Sequence, residues 1–454
     1  MSPRGAVLPR RALLGAPVLL APPARADAPF TGADLLLVVL ADLHSAGERA
    51  AAALGAVDAA LAANRRAEAL VVLNGDVFER GNAVALRSGG VADWAFLAAL
   101  RRRAPVVLNL GNHEAALLDD MAEVVRRAAA LDLIVLSTLR DRRTGRELAP
   151  ASATLPLRGG RALRLVGLAT AEAATYRAAA RDTLEMPDPV EWGRANLPGL
   201  LAGADAAVVL SHAGIAADRD LLPLLPDGAL LVGGHEHLRL LHAEGATRLV
   251  HPGSWNRFVV LAGLGFTPGG PRLSIRQVAV EPGVAEDPRH AATWREVLGD
   301  HAAPEDREVV LRLPRALPLA EGARRAAAAI GTATGAAFGV VNHTNFGTGL
   351  PGGEVTRLAW DAFLRFDGPL VRGSADRDAV EAMTPRLNQD AELPLAARIG
   401  DFAYAAPPPA PGALGATGWV RMNTARYLGG PVAFQPVAGV MLKEAVAAAL
   451  RASP

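Results

Sequence analysis

Five short apolar runs, each closed by a turn rich in aspartate, asparagine or histidine, constrain this chain more than any other feature. Leu35–Leu40 leads into Ala41-Asp42-Leu43-His44, Ala69–Leu73 into Asn74-Gly75-Asp76, and Val106–Leu110 into Gly111-Asn112-His113-Glu114. Ala206–Leu210 leads into Ser211-His212-Ala213-Gly214, and Ala229–Val232 into Gly233-Gly234-His235-Glu236-His237. Runs of four to six residues rich in Val and Leu and bounded by glycine turns predict buried strands. Leu133–Leu136 and Ala162–Val166 continue the series, and the alanine-rich stretches Glu48–Asn64, Val91–Arg103 and Asp119–Ala130 predict helices between the strands. The alternation is that of an α/β domain.

In such domains ligands bind beyond the carboxyl ends of the strands. The five loops are therefore expected to converge, bringing together Asp42, His44, Asp76, Asn112, His212, His235 and His237, with His113 and Glu114 nearby. Carboxylate, imidazole and amide oxygen suit Mn²⁺, Fe, Zn²⁺ or Mg²⁺. Seven ligands exceed what one ion needs. They suffice for two divalent metal ions that share a carboxylate, the arrangement used for in-line displacement at phosphorus. A lone buried histidine is usually a satisfied core residue. Here five of the ten histidines lie in these loops beside acids, and buried charge must be paired or metal-bound.

The ordered set D-x-H, G-D, G-N-H-E, S-H-x-G and G-H-x-H resembles the calcineurin-like metallophosphoesterase superfamily. NGDVFERGN (74–82) and LGNHE (110–114) resemble its 5′-nucleotidase branch, and HPGSWNR (251–257) resembles the turn that follows the last metal motif. The resemblance implies a four-layer α/β/β/α domain over residues 29–283. It further implies that Asp42, His44 and His237 hold one ion, that Asn112, His212 and His235 hold the other, and that Asp76 bridges them. A hydroxide shared by the ions would attack phosphorus, and His113 would stand as catalytic residue against the leaving group. One departure matters: the aspartate that usually partners this histidine is replaced by Ala116, so the orienting acid either comes from elsewhere, with Glu114, Asp119 and Asp120 as candidates, or is missing.

Residues 284–306, with Pro288, Pro304 and many charges, read as a linker containing a short helix near Thr293–Leu298. A second, smaller α/β domain is expected over 307–454, with apolar runs at Val309–Leu313, Phe338–Val341 and Trp419–Met422. Segments 340–369 and 420–434 resemble the C-terminal domain of the nucleotidases. By that resemblance Asn342, Phe366 and Phe434 are candidate substrate-binding residues, the two phenylalanines matching aromatics that clamp a nucleobase. Gly347 stands where the nucleotidases place a phosphate-contacting arginine. The implied partner is a small phosphate ester such as a nucleotide. The rivals are a nucleotide-sugar, a cyclic nucleotide, a sulfur ester, or a role as a non-catalytic metal-containing binding protein.

Charge and composition narrow the remaining classes. The formal charge is +1, but Arg4, Arg10, Arg11 and Arg25 lie in the first 26 residues with no acid among them. Without them 43 basic residues face 46 acidic ones, a net of −3, so the electrostatic footprint of a nucleic-acid polymer binder is missing. There is no cysteine, hence no thiolate metal site or cysteine nucleophile. Arg10-Arg11 before the apolar run Ala12–Ala21, with Ala24-Arg25-Ala26 beyond it, predicts an export signal over 1–28 that resembles a twin-arginine signal. The run is too short for a stable membrane anchor. The expected location is periplasmic or secreted.

Overall fold

The computed structural model describes residues 28–281, 283–390 and 393–452. The expected export signal falls outside them except for Ala28. Two six-stranded sheets stack face to face in the first domain. In one, the parallel strands Leu35–Leu40, Glu68–Asn74, Val106–Asn109 and Ile134–Leu136 are neighbours in that order. The antiparallel hairpin Phe258–Thr267 and Gly270–Ala279 extends it on the Leu35–Leu40 side. In the other, Arg161–Ala169, Ala206–His212, Leu230–Gly233 and Thr247–Pro252 run parallel, with antiparallel strands at both edges.

Side-chain alternation explains why LLLVVL is apolar throughout. Leu35, Leu37 and Val39 enter the core between the sheets, whereas Leu36, Val38 and Leu40 enter the core beneath the helices Gly47–Ala63, Val91–Arg103 and Met121–Ala130. In Ala206–His212, Val208 and Leu210 face the first sheet while Ala207 and Val209 face outward to a helical layer. A strand buried on both faces needs no polar alternation, and each such side chain contributes about 1.5–3 kcal/mol. The result is the expected α/β/β/α sandwich.

The second domain is a five-stranded sheet in the order Ala403–Ala406, Phe338–Asn342, Gly412–Thr417, Pro369–Ala375, Phe434–Met441. Helices Leu319–Thr334 and Leu442–Ala452 cover it. One apolar cluster joins the outer face of the first domain's second sheet to this domain, through residues such as Leu197, Val209, Ile330 and Val341.

The sequence reading differs from the structure in three places. The segment read as linker holds a 14-residue helix, Pro288–His301, capped by Asp287 and packed through Trp294 against Gly47. Asp287-Pro288 is an N-cap followed by a proline in the first turn, a start signal that the sparse apolar pattern behind it concealed. Trp419–Met422 lies in a short helix, Gly418–Met422, started by the Thr417 side chain. The hairpin 258–279 has no counterpart in the sequence reading; its first strand is buried on both faces, Val259 and Leu261 beneath the helices and Val260, Ala262 and Leu264 between the sheets.

Polar side chains pin the sheets together beneath the loops. Asn74 Nδ2 donates to the carbonyls of Ser211 and Val232, at 3.1 and 2.9 Å, and Asn109 Nδ2 donates to Asn74 Oδ1 and to the carbonyl of Leu168, both at 2.9 Å. Both asparagines are wholly buried. Leaving such groups unpaired costs about 1–3 kcal/mol. Asn109→Leu is therefore expected to lower the thermal midpoint of the metal-free protein, as read by circular dichroism, by removing the bridge while adding apolar volume.

Candidate metal centre and substrate cavity

All seven predicted ligands stand at the carboxyl ends of parallel strands. Three loops come from one sheet, carrying Asp42 and His44, Asp76, and Asn112. His212 closes the strand Ala206–His212 in the other sheet, and His235 and His237 follow Leu230–Gly233. Five of these residues, Asp42, His44, Asp76, His235 and His237, have positive φ angles between 48° and 82°. Non-glycine residues rarely adopt that conformation, and it persists only where surrounding contacts impose it. Here they include His235 N donating to Asp42 Oδ1 at 3.0 Å and His113 N donating to Asp76 Oδ1 at 2.7 Å. Gly111 makes the approach feasible: a Cβ there would lie 2.3 Å from Asp76 Oδ1 and 2.8 Å from His212 Nε2.

Asp76 occupies the middle. Its Oδ2 is 3.2 Å from His212 Nε2 and 3.9 Å from His44 Nε2. His212 Nδ1 donates to the carbonyl of Asn74 at 2.7 Å, which leaves Nε2 for the centre. His235 Nδ1 lies 2.9 Å from Asn112 Oδ1. Burial raises the carboxyl of Asp76, but His212, His113 and His44 outweigh it and hold the group well below the usual range. Burial pushes Asp42 up to about 8 against the pull of His212. His212 is shifted up to about 10, since Asp76 and Asp42 overcome the burial that lowers it. Burial lowers His44 and, further, His237, which favours the neutral imidazole in both.

The donor set fits divalent cations. Asp42, His44 and His237 have one ligand atom each within 4.8 Å of one another, and so do Asp76, His212 and His235. His44 Nε2 is buried without a hydrogen-bond partner, and His212 Nε2 and His235 Nε2 have no well-aligned one, only a carboxylate oxygen at 3.2 and 3.5 Å. Buried polar nitrogens in that state are costly unless something accepts their lone pairs or protons.

Several contributors escaped the sequence reading. Trp255, wholly buried, lies 4.6 Å from the ring of His44 and 5.9 Å from that of His237, and its backbone N–H donates to the carbonyl of Asp42 at 2.8 Å. Glu79 places Oε2 3.3 Å from both His44 Nδ1 and His113 Nδ1. The three acids considered for His113 are occupied elsewhere. Glu114 accepts from the amides of Gly111 and Val77, Asp119 pairs with Arg177, and Asp120 caps the helix Met121–Ala130 and pairs with Arg143. The segment NGDVFERGN carried Glu79 in plain view. Nothing in its spacing indicated that the turn folds back onto the two histidines.

A cavity of about 860 Å³ opens from this centre toward the second domain. It is lined by His113, Asn112 and His235 on one side and by Asn342, Phe366, Trp419 and Arg426 on the other. Phe366 is 41% exposed, available to a ligand. Phe434 is not: it is buried against Gly373 and Val371 in the core of the second sheet and does not line the cavity. An apolar ring at the start of a strand gains more from that core than from a solvated wall. At Gly347 a Cβ would meet the carbonyl oxygen of Ala362 at 2.5 Å and the Trp255 ring at 3.2 Å, so no side chain fits there. Arg426 instead brings a guanidinium to the cavity, paired with Glu172 at 2.6 Å and with Asp401. Glu172 in turn lies 3.5 Å from His235 Nε2.

Residues 35–239 match the family described as Calcineurin-like phosphoesterase. No curated protein sequence matches the chain. Among solved structures, a 5′-nucleotidase precursor from Thermus thermophilus is similar with a TM-score of 0.58 and 19% identity, over 92% of this chain and 96% of that one. The sulfate thiohydrolase SoxB of the same organism is similar with a TM-score of 0.64 and 16% identity, over 92% and 94%. A 5′-nucleotidase from Candida albicans gives 0.60 and 11%, over 94% and 99%. At these identities the likeness is one of fold, and it extends across both domains. Among the described residues no helix is long and apolar enough to cross a membrane.

Proposed function

We propose that this chain, whose residues 35–239 match the calcineurin-like phosphoesterase family, is an exported metal-dependent enzyme hydrolysing a small phosphate ester of nucleotide size. In this reading Asp42, His44 and His237 hold one divalent cation, Asn112, His212 and His235 hold a second, and Asp76 is shared. The observation that carries it is the position of Asp76, which belongs to the donor triad with His212 and His235 and stands 3.9 Å from His44 of the other triad, at a cavity large enough for a nucleotide. When bound, paired cations supply an acidified water and neutralise phosphate charge. His113, at the cavity wall, protonates the departing oxygen. Asn342 and Arg426 bind the polar part of the substrate, and Phe366 offers an aromatic face to a base, with Trp419 lining the same cavity. Export rests on Arg10-Arg11 and the apolar run behind them.

The test is phosphate release by Mn²⁺-, Zn²⁺- or Mg²⁺-loaded protein from a panel of nucleotides, sugar phosphates and phosphodiesters. Absence of turnover on every ester with every ion would sink the reading. Phe366→Ala is expected to raise KM for a nucleoside monophosphate about 10-fold, the value of one stacking contact, and to leave KM for inorganic pyrophosphate unchanged.

Gly347 favours a second substrate class. Without the arginine, and with no space for one, the site lacks a contact that nucleotidases make with phosphate. A sulfur ester is the alternative, and faster sulfate release from a thiosulfonate than phosphate release from any nucleotide would select it.

A further inference from the structure

We propose that Glu79 is a positioning residue that fills the orienting role left vacant at Ala116, holding His113 against the leaving group while bracing His44 for the metal centre; this rests on the hydrolytic reading above. The carboxylate is 2% exposed. Its Oε2 meets His113 Nδ1 and His44 Nδ1, each at 3.3 Å. These contacts are long for charge-assisted hydrogen bonds, as catalytic contacts often are before substrate arrives. The group cannot swing away, because Oε1 accepts from the amide of Gly81 at 2.8 Å and its own amide donates to Ser45 Oγ at 2.9 Å.

The consequence for the two rings is geometric. Each imidazole turns Nδ1 toward the same oxygen, at 3.3 Å, and keeps Nε2 for another purpose. For His44 that nitrogen is the one facing Asp76. For His113, which lines the cavity, it is the atom left to meet substrate. A carboxylate behind an imidazole fixes both tautomer and ring plane. Ala116 cannot act in this way, being buried in the apolar core beneath the first sheet's helices. A single carboxylate thus ties the leaving-group histidine to a metal-site histidine. A displacement of either ring is felt by the other.

The experiment uses Mn²⁺-loaded full-length protein and two esters, a nucleoside 5′-monophosphate with a poor leaving group and p-nitrophenyl phosphate with a good one. Bound manganese per chain is measured for every variant. Glu79→Gln is expected to lose about 100-fold in kcat on the nucleotide and less than about 5-fold on the nitrophenyl ester, because only the poor leaving group needs a well-aimed proton donor. His113→Ala should show the same selectivity, and at equal bound manganese the double variant should be no slower than His113→Ala alone. Glu79→Asp, which keeps the charge, should recover part of the loss. Equal losses on the two esters with manganese retained, or losses that multiply in the double variant, overturn the proposal. If Glu79→Gln fails to load manganese, Glu79→Asp and His113→Ala decide, and an unselective loss in either overturns it. Wild-type protein inactive on both esters overturns the hydrolytic reading itself, which separates the two failures.

Discussion

Asp76→Asn is expected to lower kcat/KM on the best phosphate ester by about 10³-fold or more, and to reduce bound metal from about two ions per chain to about one. The physical case lies in the position of this carboxylate. One oxygen, Oδ1, accepts the amide hydrogen of His113, while the other faces His212 and His44. An amide of the same shape can keep the first bond, so the loop should fold. It has no negative charge to share between two cations, and it presents either a weak oxygen donor or an NH₂ group to them. Circular dichroism at wild-type level alongside lost activity and lost metal, measured by inductively coupled plasma mass spectrometry, is the predicted combination. A variant that keeps two ions and a tenth of the activity would refute the shared-ligand role.

The second large effect is a linkage between metal and protons. In the metal-free site Asp42 titrates at about 8 and His212 at about 10, so both are protonated at pH 7. Each must lose its proton to act as a ligand. Loading should therefore release about two protons, and apparent affinity should rise about 100-fold per pH unit between pH 6 and 7.5, falling to about 10-fold per unit between 8.5 and 9.5, where only His212 still holds a proton. The sign follows for stability as well. Both groups have folded-state values above those of the unfolded chain, so the stability they give the metal-free protein is present at low pH and is lost as pH rises through those values. The gap in thermal midpoint between loaded and metal-free protein should widen with pH. Isothermal titration calorimetry in buffers of different protonation enthalpy counts the protons directly, and a pH-independent affinity would refute the assignment of Asp42 and His212 as ligands.

Much of the site was legible because its residues are tied to strand ends. LLLVVL, ALVVL and AAVVL are buried on both faces, so each must stop where polar residues begin, and Asp42, Asp76 and His212 mark those points. Periodicity in a strand is local, which is why a single chain reveals it. Glu79, Trp255 and Arg426 were not legible. Each reaches the site from a turn or a short helix whose path depends on what packs around it. Phe434 shows the converse: a residue placed by pattern at a binding wall was drawn into the core, where an aromatic ring is more stable.

The sequence by itself therefore determined the candidate donors, their order and the alternation of strands and helices, since all three follow from short-range patterns of burial and polarity; the four layers were expected from the family resemblance. The tertiary structure decided that the donors come from two facing sheets, that Glu79 stands behind His44 and His113, and that the second domain presents Phe366, Trp419 and Arg426 to the cavity. Those outcomes depend on contacts between residues tens to hundreds of positions apart. Only the closed packing of the whole chain specifies such contacts.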